Sequence, residues 1–443
     1  MEKILCSREP YDSIIGHNRP NGTSRTWNMQ EGGKIPTLLH TLTPDIINSY
    51  IEDPALYNDK HYSLSFHEDY EDVEIEDIGD NKHIYIIRVY NHNFFRLNLD
   101  TGFSCISKLV LEDIKIGKCA LIIECTTEGK YTRTANTELD IVERWRVKAG
   151  LPEYSVSVIH GNLICDTYVK ANNLKINAYG CSAFETFFSP PDEYLDDEEK
   201  IVPFDAKISN PQKYFLSYNR QPRNHRLLLG YLLWQEKLIN KGLVSLRFPK
   251  NKVRFSAIYT ENVINENSFN RFRSEGERTI DISTADNLAT NFTLSNYEST
   301  LLSVVSETVM DPGCIFFSEK IWKPISIGHP FIIMGSPFSL EKLKDMGYMT
   351  YESLWDESYD KIASEANRVI AITKLLKSIT QKSDDELNEL KLKSIPIAKH
   401  NRKVFREYIS REYKGKENLH GVILPITTIT KKIYDKLGYT KDI

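Results

Sequence analysis

The stretch from Leu301 to Gly335 constrains the fold more than any other part of this 443-residue chain. Residues 301–308 form an apolar run that ends in an acid, which predicts a buried strand. Ser318 is placed to cap a helix that begins at Glu319, and residues 330–334 predict a second apolar strand closed by a glycine. A strand, a helix and a strand in about 35 residues indicate a βαβ unit, whose ligands lie at the carboxyl ends of the strands.

Two acids and a lysine lie where this unit predicts a ligand site. Glu307 ends the first strand and Glu319 begins the helix, so either carboxylate could accept hydrogen bonds from the hydroxyls of a ribose. Lys320 lies in the first turn of the helix, where its charge opposes the helix dipole unless an anion such as a diphosphate shares the site. The alternative is an ordinary first-turn acid followed by a solvent-facing lysine.

A second basic segment precedes this unit. Residues 214–218 predict a short strand, and a helix is predicted from Pro222 to Lys241. Arg220, Arg223 and Arg226 lie at its start, where a cation costs on the order of 0.3 to 1 kcal/mol, so an anionic ligand is expected to offset them. Arg223 and Arg226 are three residues apart and share a face, so they could grip a diphosphate. The alternative is a basic solvent-facing turn paired with acids elsewhere in the chain.

These motifs resemble a known family. The order SET at 306–308, then SEKIWKPI, then GHPFIIMG is similar to the donor-binding half of inverting fucosyltransferases, whose strand end reads Phe-Glu-Asn instead. Together with FLSYNRQPR it is still more similar to glycosyltransferase-like proteins of large phages and other DNA viruses. The resemblance covers roughly 211–360. It implies that Glu319 binds the ribose and Lys320 the diphosphate, with Arg226 as a further diphosphate ligand.

The resemblance implies an α/β, GT-B-like architecture with two Rossmann-type domains facing a cleft. The length allows two domains, each with its own core. We expect an N-terminal acceptor-side domain at 1–190, a linker at 191–210, a nucleotide-sugar-binding domain at 211–400 and a C-terminal segment at 401–443 that crosses back. The linker is predicted because two prolines and six acids between Pro190 and Glu199 are too charged to bury.

Other elements alternate as a parallel sheet requires. The first sixty residues look irregular, apart from a helix at 44–52. Further strands are predicted at 73–78, 83–90, 120–125 and 155–160, and further helices at 138–149, 339–346 and 359–379.

An inverting transfer requires a base that takes the proton of the acceptor hydroxyl. Glu128 is the first candidate, because it follows the apolar strand 120–125 at its carboxyl end. His160 ends another predicted strand and is the second candidate, although either could be an ordinary loop residue. We expect a hexosyl- or pentosyltransferase that moves a sugar from a nucleotide-diphosphate sugar to a glycan or to modified viral DNA. The alternative is a catalytically degenerate protein that binds a sugar nucleotide or a glycan.

The composition limits which ligands, compartments and membrane associations are expected for this chain. A net charge of −5 gives no global field for nucleic acid, so DNA binding would have to be local. The seven cysteines lack CxxC spacing and predict reduced thiols in a cytoplasmic protein, and the viral resemblance places it in an infected host cell. No apolar stretch approaches the roughly 18 residues of a membrane span. No cofactor is expected, and no metal, because the acid pair at 196–197 lies in the charged linker.

Overall fold

The computed structural model describes residues 4–8, 70–74, 78–88, 106, 108–126, 137–182, 201, 213–249, 264–280, 293–413, 429–430 and 432–437. The chain divides into two units. The first contains Met1–Ala183 and Lys416–Ile443, and the second contains Phe184–Gly415. The predicted linker at 191–210 and the predicted helix at 44–52 lie outside the described residues, except for Ile201.

The first unit contains a six-stranded parallel sheet with the order β2-β1-β3-β4-β5-β6. The order reverses once, between β1 and β3, as in doubly wound sheets. Its strands are β1 (Ile4–Arg8), β2 (Tyr70–Glu74), β3 (His83–Arg88), β4 (Cys119–Cys125), β5 (Val156–His160) and β6 (Asn177–Gly180). Its helices are α1 (Lys108–Lys115), α2 (Glu138–Lys148) and α3 (Cys165–Ala171), and residues 429–430 and 432–435 are also helical.

Strands β4 and β5 are buried along their whole length, which is typical of central strands in a parallel sheet covered on both faces. Leu121 and Ile123 pack in one apolar cluster with Val142 and Trp145 of α2. The helix is fixed at its start by a capping box between Thr137 and residue 140. Near the C terminus, the Lys82 ammonium donates to the carbonyl of Leu437 at 2.6 Å, a contact within the first unit.

The second unit contains a four-stranded parallel sheet with the order β10-β9-β7-β8. Successive strands are added first on one side of β7 and then on the other, so the switch point lies between β7 and β9. The strands are β7 (Lys213–Asn219), β8 (Gly242–Leu246), β9 (Thr300–Ser306) and β10 (Phe331–Met334). The helices are α4 (Asn224–Gln235), α5 (Glu266–Ser274), α6 (Leu294–Glu298), α7 (Glu319–Ile327), α8 (Ser339–Asp345), α9 (Glu365–Ile379) and α10 (Asp384–Tyr413).

The prediction of an α/β fold with parallel sheets is confirmed in both units. The predicted βαβ unit is confirmed as β9, α7 and β10. Ser318 is the N-cap of α7, and its hydroxyl accepts a hydrogen bond from the amide of Lys320. Helix α7 ends at Gly328, whose φ of 72° is the left-handed conformation that glycine tolerates best. Among the described residues, no helix combines the length and the apolar character needed to cross a bilayer.

Several predicted boundaries are wrong. Residues 4–8 form a strand within the segment expected to be irregular. The helix predicted to Lys241 ends at Gln235, because Lys237 is left-handed at φ 57° and Gly242 opens β8. The helix predicted at 359–379 is a 3₁₀ turn followed by α9, which Ser364 caps separately. The start of the C-terminal segment at 401 stays a prediction, and residues 400 and 401 lie within helix α10.

Candidate functional site

The switch point of the second sheet brings the carboxyl ends of β7 and β9 together. Leu216 pairs with Ser303, so the same register extended by three residues places Asn219 opposite Ser306. Doubly wound sheets bind their ligands in the crevice at this point. The predicted arginines follow β7, and the predicted acids and lysine follow β9. The topology therefore brings the basic segment after β7 and the acidic segment after β9 to the same edge of one sheet.

Arg226 is the most deeply buried of the predicted arginines, with 2% of its surface exposed. Its guanidinium donates to the carbonyls of Ser306 at 2.9 Å, Glu307 at 3.2 Å and Gln221 at 3.3 Å. Burial, reinforced by the charge of Arg223, lowers the pKa of Arg226 to about 10. The assignment to a diphosphate stays a prediction, but these acceptors favour a positioning role. Arg226 ties the start of α4 to the end of β9.

Two neighbours of Arg226 make similar contacts. Arg223 is half-buried at the N-cap position of α4, and its guanidinium donates to the carbonyl of Thr308 at 3.0 Å. The Nε2 atom of His225 lies 3.0 Å from the carbonyl of Glu307, and Nδ1 lies 3.3 Å from a carboxylate oxygen of Glu365. Burial lowers the pKa of His225. Side chains at the start of α4 thus bond to the carbonyls of three consecutive residues, 306–308, and fix the end of β9 against α4.

The carboxylate of Glu307 is fully buried and holds the start of α7. It accepts hydrogen bonds from the Ser318 hydroxyl at 2.5 Å, from the Ser318 amide at 3.3 Å and from the Thr308 amide at 3.3 Å. Burial raises the pKa of Glu307, while the charge of Lys320 and the bonds from Ser318 oppose that shift. The proposed ribose role of Glu307 stays a prediction. In this geometry its carboxylate oxygens accept hydrogen bonds from groups of the protein.

Glu319 and Lys320 form the accessible part of the site. Their side chains are 21% and 27% exposed, and the Lys320 ammonium lies 2.6 Å from the Glu319 carboxylate. The same ammonium donates to the Ser318 hydroxyl at 3.2 Å. Burial raises the pKa of Glu319, but the charge and hydrogen bond of Lys320 outweigh that effect and lower it. A charged carboxylate and an ammonium therefore meet at the start of a helix, within reach of solvent.

Two residues at this edge, Asn219 and Ser306, were not predicted from the sequence as site residues. The Asn219 Oδ1, Ser306 Oγ and Arg226 Nε atoms are buried and have no hydrogen-bond partner within the described part of the chain. Most buried polar groups in proteins have one. Asn219 is held by its other amide atom, which donates to the Ser217 hydroxyl at 2.8 Å. For Asn219 and Ser306, the only sequence signal was a polar residue at the end of each apolar strand. Arg220 is half-buried in the loop after β7.

The carboxyl edge of the first sheet contains the second base candidate, His160. Its Nε2 atom lies 2.7 Å from the carboxylate of Glu138, and both side chains are buried. The amide of Asn162 donates to Nδ1 at 2.8 Å, which places the ring proton of a neutral His160 on Nε2. Both ring nitrogens are therefore occupied, and a base role would require one bond to break. Glu128 lies outside the described residues.

The cysteines are distributed over both units. Cys119, Cys125, Cys165, Cys181 and Cys314 are buried and form no disulfide with one another, and burial raises the pKa of the Cys125 thiol. Among the residues that the structure describes, no group of three or more histidine, cysteine or acidic side chains has an arrangement that could hold a metal ion.

Comparison of the chain with models of protein families gives no match, and comparison with curated proteins gives none either.

Proposed function

We propose that the chain is a glycosyltransferase with a GT-B-like arrangement, in which the second unit binds a nucleotide-diphosphate sugar at the switch point between β7 and β9. The first unit provides the acceptor side, and the acceptor is a hydroxyl of a glycan or of modified viral DNA. The observation that carries this proposal is the convergence of Arg223, Arg226, Glu307, Glu319 and Lys320 at one sheet edge.

The charge of this edge supports an anionic ligand. Four cations, Arg220, Arg223, Arg226 and Lys320, outnumber the three acids of this edge, Glu307, Glu319 and Glu365, in a chain with a net charge of −5. Cations that gather at two helix starts oppose the helix dipoles, and a diphosphate would offset that repulsion. The sequence resemblance to the donor-binding half of fucosyltransferases agrees with this interpretation.

The residues of the site have distinct roles in the proposed reaction. The acceptor oxygen forms a bond to the anomeric carbon, the bond from that carbon to the diphosphate oxygen breaks, and the hydroxyl proton passes to a base. Lys320 and Arg223 would stabilise the negative charge that grows on the departing diphosphate. The Glu319 carboxylate would accept hydrogen bonds from the ribose. Arg226 and Glu307 would hold these groups in position through the backbone.

Nucleotide release is the direct test of this function. The purified chain is incubated with a panel of nucleotide sugars, with glycans or with modified DNA as acceptors, and the released nucleoside diphosphate is measured. We expect one donor and one acceptor class to give release above hydrolysis in buffer. The proposal would be overturned if no donor gave nucleotide release and the chain bound no nucleoside diphosphate.

The base assignment has its own test. Glu128→Gln keeps size and hydrogen bonding but removes basicity, so turnover should fall by about 100-fold or more while donor affinity stays unchanged. The control is His160→Gln, which should affect stability more than the chemical step. Full turnover of Glu128→Gln would exclude Glu128 as the base, and a parallel loss of donor affinity would place it on the donor side.

A binding protein without turnover is the second candidate. The observation that favours it is the closed contact between His160 and Glu138, in which neither ring nitrogen is available to take a proton. Nucleoside diphosphate binding without release from any donor would support this function over the transferase.

A further inference from the structure

Phe338 is an exposed aromatic residue in an otherwise buried part of the second unit. It lies in the loop between β10 and α8, which follows the carboxyl end of β10 and so shares the sheet edge with the switch point. The residue is 47% exposed, whereas every other residue from Ile321 to Leu340 is buried. The loop therefore directs a single large apolar ring towards solvent at the edge where the cations gather.

The backbone of Phe338 is held in a conformation that bulky residues avoid. Its φ of 65° and ψ of 19° lie in the left-handed region, which costs a residue with a side chain on the order of 1 kcal/mol or more. Hydrogen bonds from both sides hold it there. The Phe338 amide donates to the Asp360 carbonyl at 2.8 Å, and the Asp360 carboxylate accepts from the amides of Leu340 at 3.1 Å and Glu341 at 3.4 Å.

Strain of this kind collects at functional sites, because the rest of the structure must maintain it. A glycine at the same place would avoid the strain, and a polar residue would suit the exposure better. The chain has an aromatic ring there instead. The ring contributes little to a core at this exposure, and it is accessible to a ligand at the sheet edge.

The loop that carries Phe338 is joined to the cationic site. The Ser336 hydroxyl donates to the Val309 carbonyl at 3.4 Å, and the buried Arg368 donates to the carbonyls of Met310 and Gly335. These bonds connect the loop after β10 with the loop after β9. The loop after β9 is the one whose Thr308 carbonyl accepts from Arg223.

We propose that Phe338 is the platform on which the nucleobase of the donor stacks. This inference rests on the proposed nucleotide-sugar function and adds the recognition of the base to that of the diphosphate. A flat aromatic ring stacks on any nucleobase, so it supplies affinity without demanding a particular base. The cations of the same edge would hold the diphosphate, while the rigid loop presents the ring to the base attached to the same ligand.

Calorimetric titrations distinguish base stacking from diphosphate binding. Wild type, Phe338→Ala, Phe338→Leu, Phe338→Tyr and Lys320→Ala are each titrated with a purine nucleoside diphosphate, a pyrimidine nucleoside diphosphate and inorganic pyrophosphate. We expect Phe338→Ala and Phe338→Leu to bind the preferred nucleoside diphosphate roughly tenfold more weakly. Their affinity for pyrophosphate should match that of wild type, and Phe338→Tyr should retain both affinities. Lys320→Ala should weaken both ligands.

The outcomes separate the inference from the proposed function. If wild type binds a nucleoside diphosphate, Lys320→Ala weakens it and Phe338→Ala does not, the stacking role of Phe338 is overturned while the donor site stands. If wild type binds no nucleoside diphosphate, both fail. Equal losses for nucleoside diphosphate and pyrophosphate in Phe338→Ala would also overturn stacking, because they would show a general disturbance of the edge.

Phe338→Gly controls for the backbone strain. Glycine adopts the left-handed conformation freely, so this variant should melt at a higher temperature than Phe338→Ala. It removes the ring, so its nucleoside diphosphate affinity should remain as weak as that of Phe338→Ala. Full affinity in Phe338→Gly would show that the conformation of the loop, rather than the ring, supports binding.

Discussion

The carboxyl edges of the two parallel sheets share a topology and differ in chemistry. In the first unit, the His160 and Glu138 side chains are buried and bonded to each other. In the second unit, arginines and a lysine meet two acids, and Glu319, Lys320 and Phe338 are partly open to solvent. A doubly wound order produces a crevice in both sheets, but only the side chains decide whether it can hold an anion.

The largest loss of folding stability is expected from removing Arg226, which joins the start of α4 to the end of β9. Arg226→Ala removes three hydrogen bonds to backbone carbonyls and empties a buried position, so the free energy of unfolding should fall by about 3 kcal/mol or more. Denaturant unfolding measures it. Arg223→Ala is the matched control and should cost about 1 kcal/mol or less, because Arg223 is half-buried and donates to one carbonyl.

A different result would change the role of Arg226. If Arg226→Ala unfolds like wild type but loses affinity for a nucleoside diphosphate, Arg226 binds the ligand directly, as the sequence resemblance implied. The two edges would then differ in ligand contacts rather than in how they are held together.

A smaller effect is expected at the first edge. Glu138→Ala removes the acceptor of the buried His160 Nε2, so stability should fall by about 2 kcal/mol, and nucleoside diphosphate affinity should be unchanged. Glu138→Gln is the control, since its amide oxygen can still accept the bond. Unfolding and calorimetry on the same samples test both points. A loss of nucleotide affinity would contradict the contrast between the edges.

The smallest effect is a change in pH dependence at the second edge. Burial raises the folded-state pKa of Glu307 above its ordinary value of 4.5, so above that pH the folded state binds more protons than the unfolded state. The contribution of Glu307 to the free energy of unfolding is fully present below pH 4.5 and is lost as pH rises through the raised pKa. Glu307→Gln cannot titrate, so the difference in unfolding free energy between variant and wild type should grow in favour of the variant as pH rises. A constant difference would contradict this assignment.

Much of the second sheet could be predicted because its signals are local. The apolar runs of β9 and β10, the cap at Ser318 and the start of α7 at Glu319 all follow from neighbouring residues. The meeting of the basic and acidic segments follows from the general rule for strand ends in parallel sheets.

The remaining features depend on contacts that leave no trace in the sequence. The acceptors of Arg226 are backbone carbonyls from a distant strand, so composition could not distinguish a positioning arginine from a ligand-binding one. The left-handed backbone of Phe338 depends on Asp360, 22 residues away. Strand β1 is five residues long and lies in a segment without clear periodicity.

Calorimetry of Lys320→Ala is the most direct test of whether the cations of the second edge bind a nucleoside diphosphate. Lys344→Ala is the matched control, because Lys344 forms an exposed ion pair with Glu352 in the same unit. We expect wild type and Lys344→Ala to bind alike, and Lys320→Ala to bind more weakly by about 1.5 to 3 kcal/mol, roughly 10- to 150-fold in Kd. Equal affinity of Lys320→Ala and wild type would contradict this expectation.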